Sequence, residues 1–146
     1  MINAAIIGLG WWGKTLVEAV SGVSDDIRFV AGTTRTLSND AKEFAQLHNL
    51  KLRDSYEDII ADPDIDAVVL VTPNSLHAAQ TIAAAENGKH IFCEKPFALT
   101  GADAQRAMDA VSAASVTVGI GYNRRYHPEI TKLREMINSG ELGTIL

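Results

Sequence analysis

Between residues 66 and 71 the chain reads DAVVLV, an apolar run with no polar alternation. A strand of this kind has to be covered on both faces, as happens in a parallel sheet flanked by helices. The rest of the chain repeats the arrangement. Further strand signals are NAAIIG (3–8), IRFVAGT (27–33), KHIFC (89–93) and VTVGI (116–120). In KHIFC, Ile91, Phe92 and Cys93 read as a short buried run.

Helical spacing fills the intervals. It is seen at 14–20, at 39–49 with Ala41, Phe44 and Leu47 on one face, at 75–88 and through AQRAMDAVSAA (104–114). A last helix is predicted over 127–140. Ser55 to Asp58 and Thr100 to Asp103 match the serine/threonine-x-x-acid capping box. Gly88 and Gly140 stand where helices close on glycine. Strands separated by helices of this length predict βαβ units, and so a doubly wound parallel sheet of Rossmann type with helices on both faces. The expected division is a nucleotide-binding domain over residues 1–120 and a connecting segment over 121–146, with GTIL (143–146) as the first half of a strand.

Composition excludes several classes of function. The net charge is −5, with no Lys/Arg cluster, which leaves no electrostatic footprint for nucleic acid. One cysteine, Cys93, rules out an internal disulfide framework and a cysteine-rich metal site, and its neighbours make it a buried hydrophobe. No metal site is expected. No apolar run approaches 18 residues, and the amino terminus lacks a basic n-region and a cleavage pattern. A cytoplasmic protein without membrane partners is the expectation.

Chemistry enters with IIGLGWWGKT, which places Gly8-x-Gly10-x-x-Gly13 after the first strand and at the mouth of the first helix. The first glycine makes the tight turn, the second admits a pyrophosphate, and the third permits close helix–strand packing. The helix amino terminus adds unpaired N–H groups and a favourable dipole. Trp11 and Trp12 occupy the variable positions and either wall the cofactor site or pack on a neighbouring loop. The second strand runs into Thr33, Thr34 and Arg35 with no acid. An acid there would bind a ribose 2′-hydroxyl, whereas an arginine accommodates a 2′-phosphate. NADP is therefore expected in preference to NAD, the alternative being a solvated loop arginine.

Two more turns belong to the same carboxyl edge, where open α/β sheets hold their ligands. Thr72, Pro73 and Asn74 stop the 66–71 strand, with Asn74 or Ser75 placed to cap the following helix. His77, one turn on, reads as a packing or hydrogen-bonding residue bordering the cofactor. The 89–93 strand delivers Glu94, Lys95 and Pro96. A lysine there can donate to a hydroxyl or carbonyl of a substrate, Glu94 can pair with it or with a neighbour, and Pro96 fixes the backbone.

IIGLGWWGKT, the stretch SYEDIIADPDIDAVVLVTPNSLHAAQTIAAAENGKHIFCEKPFALT and GYNRRYHPEITKLREMINSGELGTI together resemble the Gfo/Idh/MocA oxidoreductase family. The resemblance implies NAD(P)-dependent hydride transfer to or from a hydroxyl-bearing carbon of a sugar, cyclitol or related polyol. It makes Lys95 the substrate-contacting catalytic lysine and lines the cofactor with Thr72, Pro73 and Asn74. It sets Glu94 beside the nicotinamide and puts Asn123, Arg124 and Arg125 near the substrate mouth, with Arg35 similar to the basic residue of NADP-preferring members. It also implies a second α/β domain that supplies an acid–base histidine and mediates homo-oligomer formation. That domain is not in this sequence, and neither His90 nor His127 matches the histidine's position. The alternatives are a dinucleotide-binding module without turnover and a regulatory domain that senses NADPH.

Overall fold

The computed structural model describes residues 1–144. Six parallel strands lie side by side in the order β3-β2-β1-β4-β5-β6. They are β1 (Ile2–Ile7), β2 (Ile27–Thr33), β3 (Lys51–Leu52), β4 (Ala67–Leu70), β5 (His90–Cys93) and β6 (Val118–Ile120). The helices are α1 (Trp11–Val20), α2 (Asn39–Leu47), α3 (Tyr56–Ile60), α4 (His77–Glu86), α5 (Gly101–Ala113) and α6 (Pro128–Asn138), with 3-10 turns at Asn74–Leu76 and Asn123–Tyr126. The chain starts in the middle of the sheet, winds out to β3, and returns to lay β4 on the other side of β1. That reversal creates the switch point at which doubly wound sheets open a crevice.

Each face of the sheet carries its own core. Ile6, Leu9 and Val69 pack with Val17, Phe44 and Ala45 of α1 and α2. Ile7, Val68, Leu70 and Cys93 pack with Ile59, Ala84, Ala107 and Val111 of α3, α4 and α5. Because successive strand residues point to opposite faces, the single run at 67–70 feeds both cores, which is why it contains no polar residue.

Register aligns the strand exits. Thr33, Ile7, Leu70, Cys93 and Ile120 form the last paired row across five strands. The ladder then continues by one residue: Gly8 N–H donates to Thr33 O (2.9 Å), Val71 N–H to Ile7 O (3.0 Å), Glu94 N–H to Leu70 O (3.0 Å) and Gly121 N–H to Cys93 O (2.9 Å). Gly8, Val71, Glu94 and Gly121 thus stand next to one another along the carboxyl edge.

Several local expectations change. α2 buries Ala41, Phe44 and Ala45, an i, i+3, i+4 stripe, and Leu47 lies off that stripe at 75% exposure. Phe92 is 37% exposed, because β5 alternates and only Ile91 and Cys93 face the helix-covered core. Ser55 and Asp58 form the full capping box, whereas Thr100 Oγ1 accepts from Asp103 N–H and donates to the Asp103 carboxylate instead of leaving it for its own N–H. Neither Asn74 nor Ser75 caps α4; a 3-10 turn intervenes and its Leu76 N–H bonds Pro73 O at 2.9 Å. The two-residue β3 carries no strand signal of its own. Gly143 and Thr144 lie in no regular element, and the remainder of the strand expected at 143–146 falls outside the described residues.

The tightest contact joins α1 to the first turn. A Cβ on Gly13 would lie 2.0 Å from Gly8 O and 3.1 Å from a Val71 methyl. Since the obstacle is backbone, Gly13→Ala has to move the helix. The expected loss is about 3 kcal/mol, measured as a lower urea midpoint with unchanged slope.

Candidate active site

The edge row has two clefts above it. One, of about 570 Å³, lies between the Gly8–Gly10 turn and the Thr33–Thr36 loop. The other, of about 450 Å³, is bounded by Trp11 and Trp12 on one side and by Glu94, Lys95, Asn123 and Arg124 on the other. Both are lined by Val71 and Thr72, so the two form one trough across the switch point. Volumes of this size are those of small-molecule sites.

The floor of the trough suits an anion. Gly8 has φ +111°, and a Cβ there would meet Val71 O at 3.0 Å, so this turn requires glycine. At Gly10 the situation is the opposite: a Cβ would touch nothing within 4 Å on the protein side. Gly10 begins α1 with no side-chain cap, and the first turn contains no acid. The amides of Trp11, Trp12 and Gly13 find no acceptor among the described residues. Free N–H groups, a helix dipole and open space at the second glycine together fit a pyrophosphate.

On the first cleft's wall, Thr33 is buried, Thr34 half-buried and Arg35 exposed. Arg35 enters no ion pair among the described residues. Across the cleft, Tyr56 donates to Gln80 O at 2.6 Å, and Thr72 Oγ1 donates to Gln80 Oε1 at 2.5 Å. Burial pushes the Tyr56 phenol up, with Glu57 and Cys93 adding to the effect, so it remains a neutral donor. Tyr56 and Gln80 therefore hold the Thr72 turn in place. Nothing in their local sequence marks them, since they meet only after α3 and α4 have packed.

The second cleft collects most of the residues singled out by sequence. Trp11 is 78% exposed and Trp12 half-buried, with ring centroids 5.4 Å apart, and both line it. Asn74 lines it too, while Pro73 lines the first cleft. Asn123 and Arg124 reach it from the 3-10 turn after β6, but Arg125 turns aside, its guanidinium 5.7 Å from the Tyr126 ring centroid. Lys95 is exposed at the wall and joined to Pro96 by a cis peptide bond. Its ammonium makes no ion pair among the described residues; its backbone N–H instead donates to Glu94 Oε2 at 3.2 Å.

His77 borders the same cleft but is only 1% exposed. Its Nδ1 lies 2.7 Å from Pro96 O and its Nε2 2.9 Å from Thr72 O, so the ring sits between two backbone carbonyls. A neutral imidazole, with one N–H, donates to one of them and packs against the other. The imidazole joins the two turns that line the cleft. Cys93 is fully buried, and desolvation with some help from Glu94 raises its thiol to about 11, with partial offset from Thr81. No cluster of metal-ligating side chains occurs among the described residues, and no helix there is long and apolar enough to cross a membrane.

Residues 2–122 match the Gfo/Idh/MocA model, an oxidoreductase family with an NAD-binding Rossmann fold. The chain belongs to this family. Among curated relatives, D-xylose 1-dehydrogenase (NADP+) of Hypocrea jecorina is 36% identical over 84% of this chain and 33% of its own length. The scyllo-inositol 2-dehydrogenase (NAD+) of Bacillus subtilis is 34% identical over 97% of this chain and 42% of its own. Among solved structures, an NAD-binding protein from Listeria innocua superposes with a TM-score of 0.88 at 30% identity, covering 97% of this chain and 41% of that one. The chain thus spans less than half the length of these relatives.

Two outcomes are expected of these residues. Gly10→Ala should change stability by less than about 1 kcal/mol, since its new methyl meets no protein atom, yet weaken dinucleotide binding in a calorimetric titration. Cys93 should resist iodoacetamide at pH 8 in the folded protein and react promptly in urea, as followed by mass spectrometry.

Proposed function

We propose that this chain is the cofactor-holding half of an NAD(P)-dependent dehydrogenase that acts on a sugar, cyclitol or related polyol. The observation that carries the reading is spatial: the amino-terminal end of α1 and Lys95 open onto one trough above the strand exits. The relatives named for xylose and inositol support the polyol class.

The Gly8–Gly13 turn binds the pyrophosphate through the α1 amides. The Thr33–Arg35 loop takes the adenosine end, with Arg35 on a 2′-phosphate, so that NADP is preferred. The exposed guanidinium, in no ion pair among the described residues, supports this assignment, as does the absence of an acid at the end of β2. Thr72, Pro73 and Asn74 line the cofactor, His77 holds their turn from beneath, and Trp11 and Trp12 form the outer wall. When bound, the nicotinamide supplies the hydride acceptor or donor. Lys95 donates from its ammonium to the substrate oxygen, polarising it as charge develops there. Asn123 and Arg124 contact the substrate's remaining hydroxyls, with Arg125 behind them. Residues 121–146 lead toward a second domain, which supplies the acid–base histidine and the subunit interface.

The decisive experiment is a titration of the chain with NADPH and NADH, read by the fluorescence of Trp11 and Trp12, its only tryptophans. Quenching with a preference for NADPH is expected, and absence of any response from folded protein would overturn the reading. Arg35→Ala should cost NADPH about tenfold in affinity and leave NADH nearly unchanged, the loss of one charge-assisted contact. Lys95→Ala should bind NADPH as before but, in protein carrying the second domain, turn over at least about a hundredfold more slowly.

A further inference from the structure

Gly121 is the exit residue of β6, one place along the edge row from Glu94. A Cβ on Gly121 would lie 2.7 Å from Glu94 Oε1, 2.8 Å from its Cδ and 3.0 Å from Oε2. All three carboxylate atoms are therefore stacked on the space that a side chain at 121 would fill. Gly121 does not have positive φ, so its backbone does not demand glycine. The neighbouring carboxylate does.

We propose that Gly121 is a positioning residue for Glu94. By lacking a side chain, it lets the carboxylate lie flat against the end of β6, with Oε2 held by Lys95 N–H at 3.2 Å. Oε1 accepts no hydrogen bond among the described residues, although Glu94 lines the cleft between Trp12 and Lys95. A fixed acceptor with one free oxygen at that wall suits a hydroxyl or amide N–H donor, the chemistry of the nicotinamide–ribose half of the cofactor. Resting on the dinucleotide reading above, this assigns Gly121 to the alignment and binding of that half and not to the hold on the adenosine and phosphates.

A methyl at 121 would meet the far end of a flexible side chain, unlike one at Gly13, which would meet backbone. The fold can accept it while the carboxylate cannot keep its place. Gly121→Ala should therefore leave the urea midpoint unchanged and weaken NADPH about tenfold, the worth of one charge-assisted hydrogen bond. The affinity for 2′-phospho-ADP-ribose, which lacks the nicotinamide, should remain within about twofold. In a Glu94→Ala background, Gly121→Ala should have no further effect on NADPH. Equal losses for both ligands, an unchanged NADPH affinity, or the same loss without Glu94 would each overturn the proposal.

A ligand-free readout separates this proposal from the functional reading. The side-chain carboxyl carbon of Glu94, assigned by 13C NMR in the unliganded protein, should shift on Gly121→Ala. An unmoved resonance would refute the placement even in protein that binds NADPH. Failure of the wild-type chain to bind either ligand would overturn the cofactor reading and with it the alignment role, while the carbon shift would still decide whether Gly121 sets the carboxylate.

Discussion

The carbonyl of Gly8 occupies the space where a side chain on Gly13 would begin, and the rest of the site depends on that contact. With both residues reduced to backbone, α1 can start directly against the turn that leaves β1. Its unpaired amides then face outward at the sheet's edge instead of being lifted away from it. Val71 closes the third side, with its carbonyl against Gly8 and its methyl against Gly13. The anion cradle and the β1–β4 switch point are therefore one packing event.

From this corner the edge row orders the chemistry. Parallel pairing in register sets residues from remote parts of the chain side by side, at the spacing of neighbouring strands. Side-chain size along the row then decides what each position can do. The two glycines at its ends leave space, Gly8 for the turn and Gly121 for a carboxylate. Val71 and Glu94 between them fill it, one with packing and the other with charge. Lys95 follows Glu94 directly and takes its location from the same ladder.

The strand–helix alternation was legible because burial on both faces leaves a clear pattern: the 66–71 run called for cover on both sides, and Gly8-x-Gly10-x-x-Gly13 stood at the mouth of the first helix. The site residues carried by that pattern, Thr72, Asn74, Glu94 and Lys95, arrive together at the cleft for the same reason. What local pattern could not convey was direction around an axis and meeting at a distance. Leu47 and Phe92 are apolar, but their angular positions point them away from the cores. Arg124 and Arg125 are adjacent in sequence, and a 3-10 turn sends only the first into the cleft. Tyr56, Gln80 and Gly121 act through partners that come close only in the folded sheet, so no window of sequence holds their signal. The choice between NAD and NADP is not written into this frame, since relatives named for either cofactor match it; the proposal of NADP draws on the Arg35 loop instead.

His77 ties two parts of this arrangement together. One buried imidazole lies between Thr72 O and Pro96 O, so the turn after β4 and the turn after β5 are packed on a single ring. From Pro96 the contacts run through the ring to Thr72, and from there through Gln80 to Tyr56. Trp11, Asn123 and Arg124 line the trough from outside this set of contacts. The trough's loops are thus joined to one another as well as to the sheet.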